Sequence, residues 1–125
     1  MKSKLGNLTG QLKDALKRYS EVMRLEKSDV VRDSAIQRFE FTYELSWKTL
    51  KAYLEEKGLK ELYAPKEVIR SAFQAGLISN DTTWLDMVET RNETSHIYNE
   101  DMAEKVYNKL SAYLPLIEKL LQKLS

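Results

Sequence analysis

Apolar residues recur at steps of three and four through most of this chain, and that period fixes what it can become. Leu5, Leu8, Leu12, Leu16, Tyr19 and Met23 form the first such run. Steps of three and four return side chains to one face of a helix, whereas a strand needs alternation by two, and no segment here alternates convincingly. Only 4 glycines and 2 prolines interrupt 125 residues, so the helices are long and the connections short. Ser28-Asp29 supplies capping oxygens for a second helix, which should continue to Lys57-Gly58, where glycine can take the left-handed terminal position. Pro65 suits the first turn of a short third helix carrying Val68, Ile69, Ala72 and Phe73 and stopped at Gly76. Ser79, Asn80 or Asp81 can cap a fourth, with Trp84, Leu85 and Val88 on its inner face. Asn99 can cap a fifth, whose stripe runs Ala103, Val106, Leu110, Tyr113, Leu114, Ile117, Leu120, Leu121 and Leu124. Pro115 falls inside that stripe and should kink the helix or split it. The expectation is an all-α, antiparallel up-and-down bundle of about five helices forming one domain over residues 1–125.

The second helix carries two apolar stripes. One is Ile36, Phe39, Tyr43, Trp47, Leu50 and Leu54; the other is Phe41, Leu45 and Ala52. A helix apolar on two sides is central in its bundle or shared with a partner subunit, which suggests a homodimer. Arg38, Glu40, Glu44 and Lys48 lie between the stripes. Surface pairing of Glu44 with Lys48 at i,i+4 is the bland account of them. The sharper one places some of them in a cleft facing the fourth helix.

Composition excludes several classes of function. Twenty Lys and Arg against 19 Asp and Glu leave a net charge of +1, so no global basic field favours tight non-specific nucleic-acid binding. Without cysteine there is no disulfide and no thiolate metal site, which fits a cytoplasmic setting. The opening residues lack the apolar core of a signal peptide, and no apolar run is long enough to span a membrane. No cluster of carboxylates or H-x3-H spacing suggests a metal, and no phosphate-binding glycine loop suggests a nucleotide cofactor, so neither is expected.

The chemistry concentrates in Arg91-Asn92-Glu93-Thr94-Ser95-His96-Ile97-Tyr98, which holds the lone histidine in the pattern R-x4-H-x-Y. Arginine clamps phosphate or stabilises an oxyanion, and histidine moves protons near neutral pH. A phenol beside them can stack, donate a hydrogen bond or be modified. On a continuous helix Arg91, Ser95 and Tyr98 would fall at roughly 0°, 40° and −20°, and Asn92 and His96 at roughly 100° and 140°. All five would then share one broad arc. A helix end whose histidine caps carbonyls is the structural alternative.

Four landmarks occur in order. They are Arg38-Phe39-Glu40-Phe41-Thr42-Tyr43-Glu44-Leu45-Ser46-Trp47-Lys48-Thr49-Leu50-Lys51, then Pro65 to Ile78, Trp84-Leu85-Asp86-Met87, and Arg91 to Tyr98. Together they resemble the nucleotidyltransferase substrate-binding proteins, small prokaryotic members of the HEPN superfamily related to the HepT toxins. The resemblance implies a dimerising helical bundle, with a HEPN-like four-helix core, that works with a minimal nucleotidyltransferase (MNT) encoded nearby. It carries the proton-transfer role onto His96, the phosphate clamp onto Arg91 and the modifiable tyrosine onto Tyr98. Asn92, Ser95, Glu44, Lys48 and Arg38 become candidates for holding the substrate. Three functions stay open: a subunit that binds nucleotide or RNA substrate for the transferase, a metal-independent endoribonuclease toxin neutralised by AMPylation of Tyr98, or a non-catalytic interaction module.

Overall fold

The computed structural model describes residues 3–124. Every regular element among them is an α-helix: α1 (Lys4–Met23), α2 (Asp29–Glu56), α3 (Pro65–Gln74), α4 (Asp81–Thr94), α5 (Glu100–Leu110) and α6 (Leu114–Leu124). The all-α expectation holds, with six helices rather than about five. The additional one arises at Pro115. The apolar stripe is continuous across the break, with Leu110, Tyr113, Ile117 and Leu120 all buried, yet the backbone leaves the helix at residues 111–113. Pro115 is the second residue of α6, in the first turn, where its missing N–H deprives no carbonyl of a partner.

The helix starts follow local chemistry. The Ser28 hydroxyl accepts from the Val31 amide at 3.1 Å, Asn80 Oδ1 from Thr83 at 3.0 Å, and Asn99 Oδ1 from Met102 at 2.9 Å. Each satisfies an N–H that has no carbonyl partner within its helix. Of the three candidates before α4, Asn80 is therefore the cap. The Glu67 carboxylate reaches back to the Ala64 amide at 3.0 Å and steadies the start of α3. Gly58 (φ 95°) and Gly76 (φ 78°) take the left-handed conformation just past α2 and α3.

Helix α2 is the hub, packing against α1, α3, α4 and α5, while α6 folds back onto α1. Its first stripe enters the core: Ile36, Phe39, Tyr43, Leu50 and Leu54 are buried, and Trp47 is half-buried. The second stripe is only partly covered. Ala52 is buried, but Phe41 and Leu45 are half-buried, and the Arg18 guanidinium sits 5.0 Å from the Phe41 ring centre. The two stripes are thus explained in large part by a central position within one chain. At one end Lys4 pairs with Glu55 at 3.4 Å, as antiparallel α1 and α2 require. At the other, buried Arg32 meets Asp33 at 3.0 Å and Glu104 at 3.2 Å, and Lys27 also binds Glu104. Lys27 and Arg32 hold the Glu104 carboxyl below its ordinary range, so α5 is tied by its acid to the α1–α2 turn.

Three tyrosines are built into the interior. The Tyr19 hydroxyl donates to the Leu110 carbonyl. Tyr113 donates to Asp86 at 2.6 Å and lies 2.7 Å from the Thr90 hydroxyl, which is the donor in that pair because the phenol proton is already engaged. Burial raises the pKa of Tyr19, Tyr43 and Tyr113, with Asp86 adding to the effect at Tyr113 and Glu44 at Tyr43. A raised folded-state value means that the fold prefers the protonated phenol. The associated stability is complete below the unfolded tyrosine value of about 10 and is lost as pH rises past it. The urea midpoint should therefore fall between about pH 10 and about pH 11.5, and fall less steeply in Tyr113→Phe than in the parent. Identical slopes in the two proteins would remove Tyr113 from this account.

Candidate functional site

Helix α4 carries Arg91 on its last turn, and the helix stops at Thr94. Local chemistry accounts for the stop. The Thr94 hydroxyl donates to the Arg91 carbonyl at 2.7 Å, engaging it from a side chain. Ser95 is the C-cap, and a tight turn follows in which the His96 amide donates to the Glu93 carbonyl at 2.9 Å. Asn99 then caps α5. The helical arc expected for Arg91, Asn92, Ser95, His96 and Tyr98 is consequently not formed. His96 and Tyr98 stand in the α4–α5 connection rather than on a helical face.

The turn nevertheless brings those two together. The Tyr98 hydroxyl lies 3.5 Å from His96 Nδ1, with ring centres 6.5 Å apart and planes inclined by 52°. Both side chains are exposed, Tyr98 by 79% of its surface. Nδ1 faces the phenol, leaving Nε2 as the ring nitrogen available to a ligand.

Arg91 is held in the opposite sense, inward and from two sides. Its Nη1 donates to the Thr94 hydroxyl at 3.0 Å and to the Ser95 hydroxyl at 3.3 Å. From α2, Glu40 Oε2 approaches Nη1 at 3.6 Å and Glu44 Oε1 approaches Nε at 3.7 Å. The Glu44 contact is an ion pair too long for a hydrogen bond, so Nε is buried without an acceptor. Nη2 makes no hydrogen bond among the described residues. The guanidinium is thus fixed by charge and by two hydroxyls while retaining donors for an incoming oxyanion.

The other candidates divide. Ser95 joins the Arg91 cluster, and so does Glu44, whose second oxygen accepts from the Trp47 indole at 3.2 Å. Glu44 does not pair with Lys48, which is exposed and has no ion-pair partner among the described residues, so the i,i+4 surface account of these charges is overturned. Asn92 is exposed beside the cluster. Arg38 is drawn away, donating to the Arg18 carbonyl of α1 at 2.7 Å because α1 lies along that side of α2. Its place as a substrate-holding residue beside Arg91 is not supported by that contact. The sequence placed Glu40 among the charges that could face the fourth helix and Thr94 inside the motif, but assigned neither a role at the site. The signal for Glu40 was its position four residues before Glu44, hence on the same face; for Thr94 it was the i+3 relation to Arg91. The pair of Thr90 and Tyr113 gave no local signal, since 23 residues separate them.

The family model described as nucleotidyltransferase substrate binding protein like matches residues 3–125. The chain belongs to this family. A crystal structure of a Thermus thermophilus protein is 43% identical, covers 90% of this chain and 98% of its own, and superposes with a TM-score of 0.83. A Haemophilus influenzae protein, solved as the substrate-binding domain of a nucleotidyltransferase, is 29% identical with a TM-score of 0.81 and coverages of 93% and 98%. The tri-AMPylated HEPN toxin of Shewanella oneidensis, solved in complex with an MNT antitoxin, shares the fold at 18% identity, with a TM-score of 0.78 and coverages of 99% and 98%. By sequence the chain is also 36% identical over 90 residues to a protein named probable ribonuclease HepT from Haemophilus influenzae. That match covers 69% of this chain and 62% of the relative, somewhat under two thirds of its length. Among the described residues of this family member no helix is long and apolar enough to cross a membrane.

Proposed function

We propose that this chain is the HEPN subunit of a two-component minimal nucleotidyltransferase system, and that its motif is a metal-independent ribonuclease site which the transferase silences by AMPylation. The observation that carries the reading is the pairing of exposed His96 and Tyr98 in the turn that follows Arg91, whose guanidinium is anchored by the Thr94 and Ser95 hydroxyls. Cleavage by a neighbouring 2′-hydroxyl needs a base for its proton, an acid for the departing 5′-oxygen, and positive charge on the pentavalent phosphorane. In this scheme the 2′-oxygen forms a bond to phosphorus as the 5′-oxygen leaves, giving a 2′,3′-cyclic phosphate. His96 moves protons through Nε2, and Arg91 supplies charge through its uncommitted Nη2. One histidine per chain is too few for simultaneous acid and base work, and a homodimer with two motifs facing across its two-fold supplies the second. Similarity to the relative named probable ribonuclease HepT supports this reading.

The same geometry suits the switch. The Tyr98 oxygen would attack the α-phosphate of ATP held by the transferase, forming a phosphodiester and releasing pyrophosphate, while the phenol proton passes to a base such as His96 Nδ1. The attached AMP would crowd His96, the ring nearest the Tyr98 oxygen, and add a bulky anionic group to the turn that follows Arg91. Incubation with the cognate transferase and MgATP should add AMP to the Tyr98 peptide, as read by mass spectrometry. RNA cleavage should disappear in parallel, and Tyr98→Phe should escape both effects. Cleavage that continues after full modification of Tyr98 would refute the switch.

A second reading, a subunit that holds substrate for the transferase without cutting it, draws on Glu40 and Glu44. They neutralise Arg91 in the free chain, which suits a polar ligand better than an RNA strand. It also accords with the 29%-identical relative solved as a substrate-binding domain. Absence of cleavage across a broad RNA panel would favour it.

A further inference from the structure

Away from the motif, at the start of α4, the α3–α4 connection and α6 border a partly open cavity of about 530 Å³. Buried Trp84 and Leu120 lie behind it, exposed Pro115 and half-buried Leu116 supply its open apolar surface, and Lys119 and Lys123 are exposed among its polar positions. It shares no residue with the Arg91 cluster, and Trp84 and Arg91 lie about 10 Å apart along the axis of α4.

The charge around this cavity is one-sided. Lys and Arg are nearly matched by Asp and Glu over the whole chain, at 20 against 19, yet no carboxylate lines the cavity. Lys119 and Lys123 stand four residues apart on α6, so they occupy the same helical face, where like charges repel. Neither has an ion-pair partner among the described residues. Lys123 is held by the Gly76 carbonyl at 3.0 Å, which fixes one ammonium beside the cavity, while Lys119 has no such bond. The volume lies in the range of small-molecule sites, roughly 300–1,000 Å³. Apolar walls beside two cations select a particular ligand chemistry: an apolar body loses its hydration inside, and an anionic head offsets the Lys–Lys repulsion without itself being buried.

We propose that this cavity is a binding site for a small amphiphilic anion, an aromatic ring system or short hydrocarbon chain ending in one carboxylate or sulfonate. The apolar body lies against Pro115 and Leu116, and the head meets Lys119 and Lys123. The site is independent of the ribonuclease reading and does not require the transferase.

The test uses 8-anilinonaphthalene-1-sulfonate as the probe on the purified full chain, followed by its own emission. Saturable binding at one site per chain is expected, with octanoate displacing the probe and amide NMR shifts confined to the α3–α4 connection and α6. Lys119→Glu with Lys123→Gln should weaken binding at least tenfold, the glutamine keeping a donor for the Gly76 carbonyl. N-phenyl-1-naphthylamine, which has the same rings without the sulfonate, should bind weakly and equally to both proteins. Should the double variant fold poorly, Lys119→Glu alone changes an exposed side chain and should still cost severalfold. Three results overturn the proposal: no saturable binding, affinity unchanged by the lysine substitutions, or shifts centred on any other surface.

Discussion

Replacing His96 by alanine should reduce RNA cleavage in EDTA by roughly 10²–10⁴-fold, the usual contribution of a positioned proton-transfer group. The same variant should melt at the parental temperature. The side chain is exposed, and the turn is held by its backbone amide rather than its ring. The prediction thus separates chemistry from folding in one protein. Arg91→Ala should also suppress cutting, but with a structural cost, because Glu40 and Glu44 would lose the cation that faces them. Product ends provide a check that rate alone does not: attack by the 2′-oxygen leaves a 2′,3′-cyclic phosphate, whereas attack by water leaves none. Cleavage persisting in His96→Ala at the parental rate would remove this residue from the chemistry. If two motifs are needed, specific activity of the parent should also fall on dilution into the monomer range.

How the guanidinium meets a substrate is constrained by its present neighbours. Two carboxylates at 3.6 and 3.7 Å leave the Arg91 cluster near neutral or negative, which is unfavourable for a phosphodiester approaching from solvent. The distances also show that neither carboxylate makes a close bidentate contact, and Nε has no acceptor at all. The arrangement therefore orients the guanidinium without using all its donors. A non-bridging phosphate oxygen would meet Nη2, a donor that makes no hydrogen bond among the described residues of the free chain.

The fold was legible because its signals are local and repeated. Caps at Ser28 and Asn99, the left-handed glycines at 58 and 76, and proline at the head of α3 each depend on residues within a turn of one another. The break before α6 was legible only as a kink or split, since the spacing of apolar residues is the same through both. The site was half legible. R-x4-H-x-Y marked a segment whose His96 and Tyr98 the structure brings together, but extending α4 through it gave Tyr98 a helical position it does not have, because the Thr94 hydroxyl and the Asn99 cap close and reopen the helix within a few residues. The choice between Lys48 and Arg91 as partner for Glu44 depends on how α2 packs against α4, which spacing along one helix does not encode. The contact of Thr90 with Tyr113 is of the same kind.

The largest loss of stability should come from Phe39→Ala. Phe39 has no exposed surface and stands where three parts of the chain meet. Its ring packs edge-on against Tyr19 of α1 at 6.1 Å, tilted against Tyr43 of α2 at 6.2 Å, and stacked on Tyr113 of the α5–α6 turn at 5.5 Å. Truncation removes the transfer free energy of the ring and leaves a cavity among aromatic neighbours. Those neighbours are poorly able to fill it, because the hydroxyls of Tyr19 and Tyr113 are tied to Leu110, Asp86 and Thr90. Loss of a buried phenylalanine costs about 3–5 kcal/mol. For a domain of this size that corresponds to a fall in Tm on the order of 10–20 °C. Phe39→Leu, which keeps most of the volume, should cost less than half as much. Because Tyr113 bonds to Thr90, the residue before Arg91, the truncation should also loosen the motif end, seen as faster amide exchange in α4 than in α3. A loss under about 1 kcal/mol in urea unfolding would mean that the aromatic cluster is not the keystone of this bundle, whatever its place in the contact pattern.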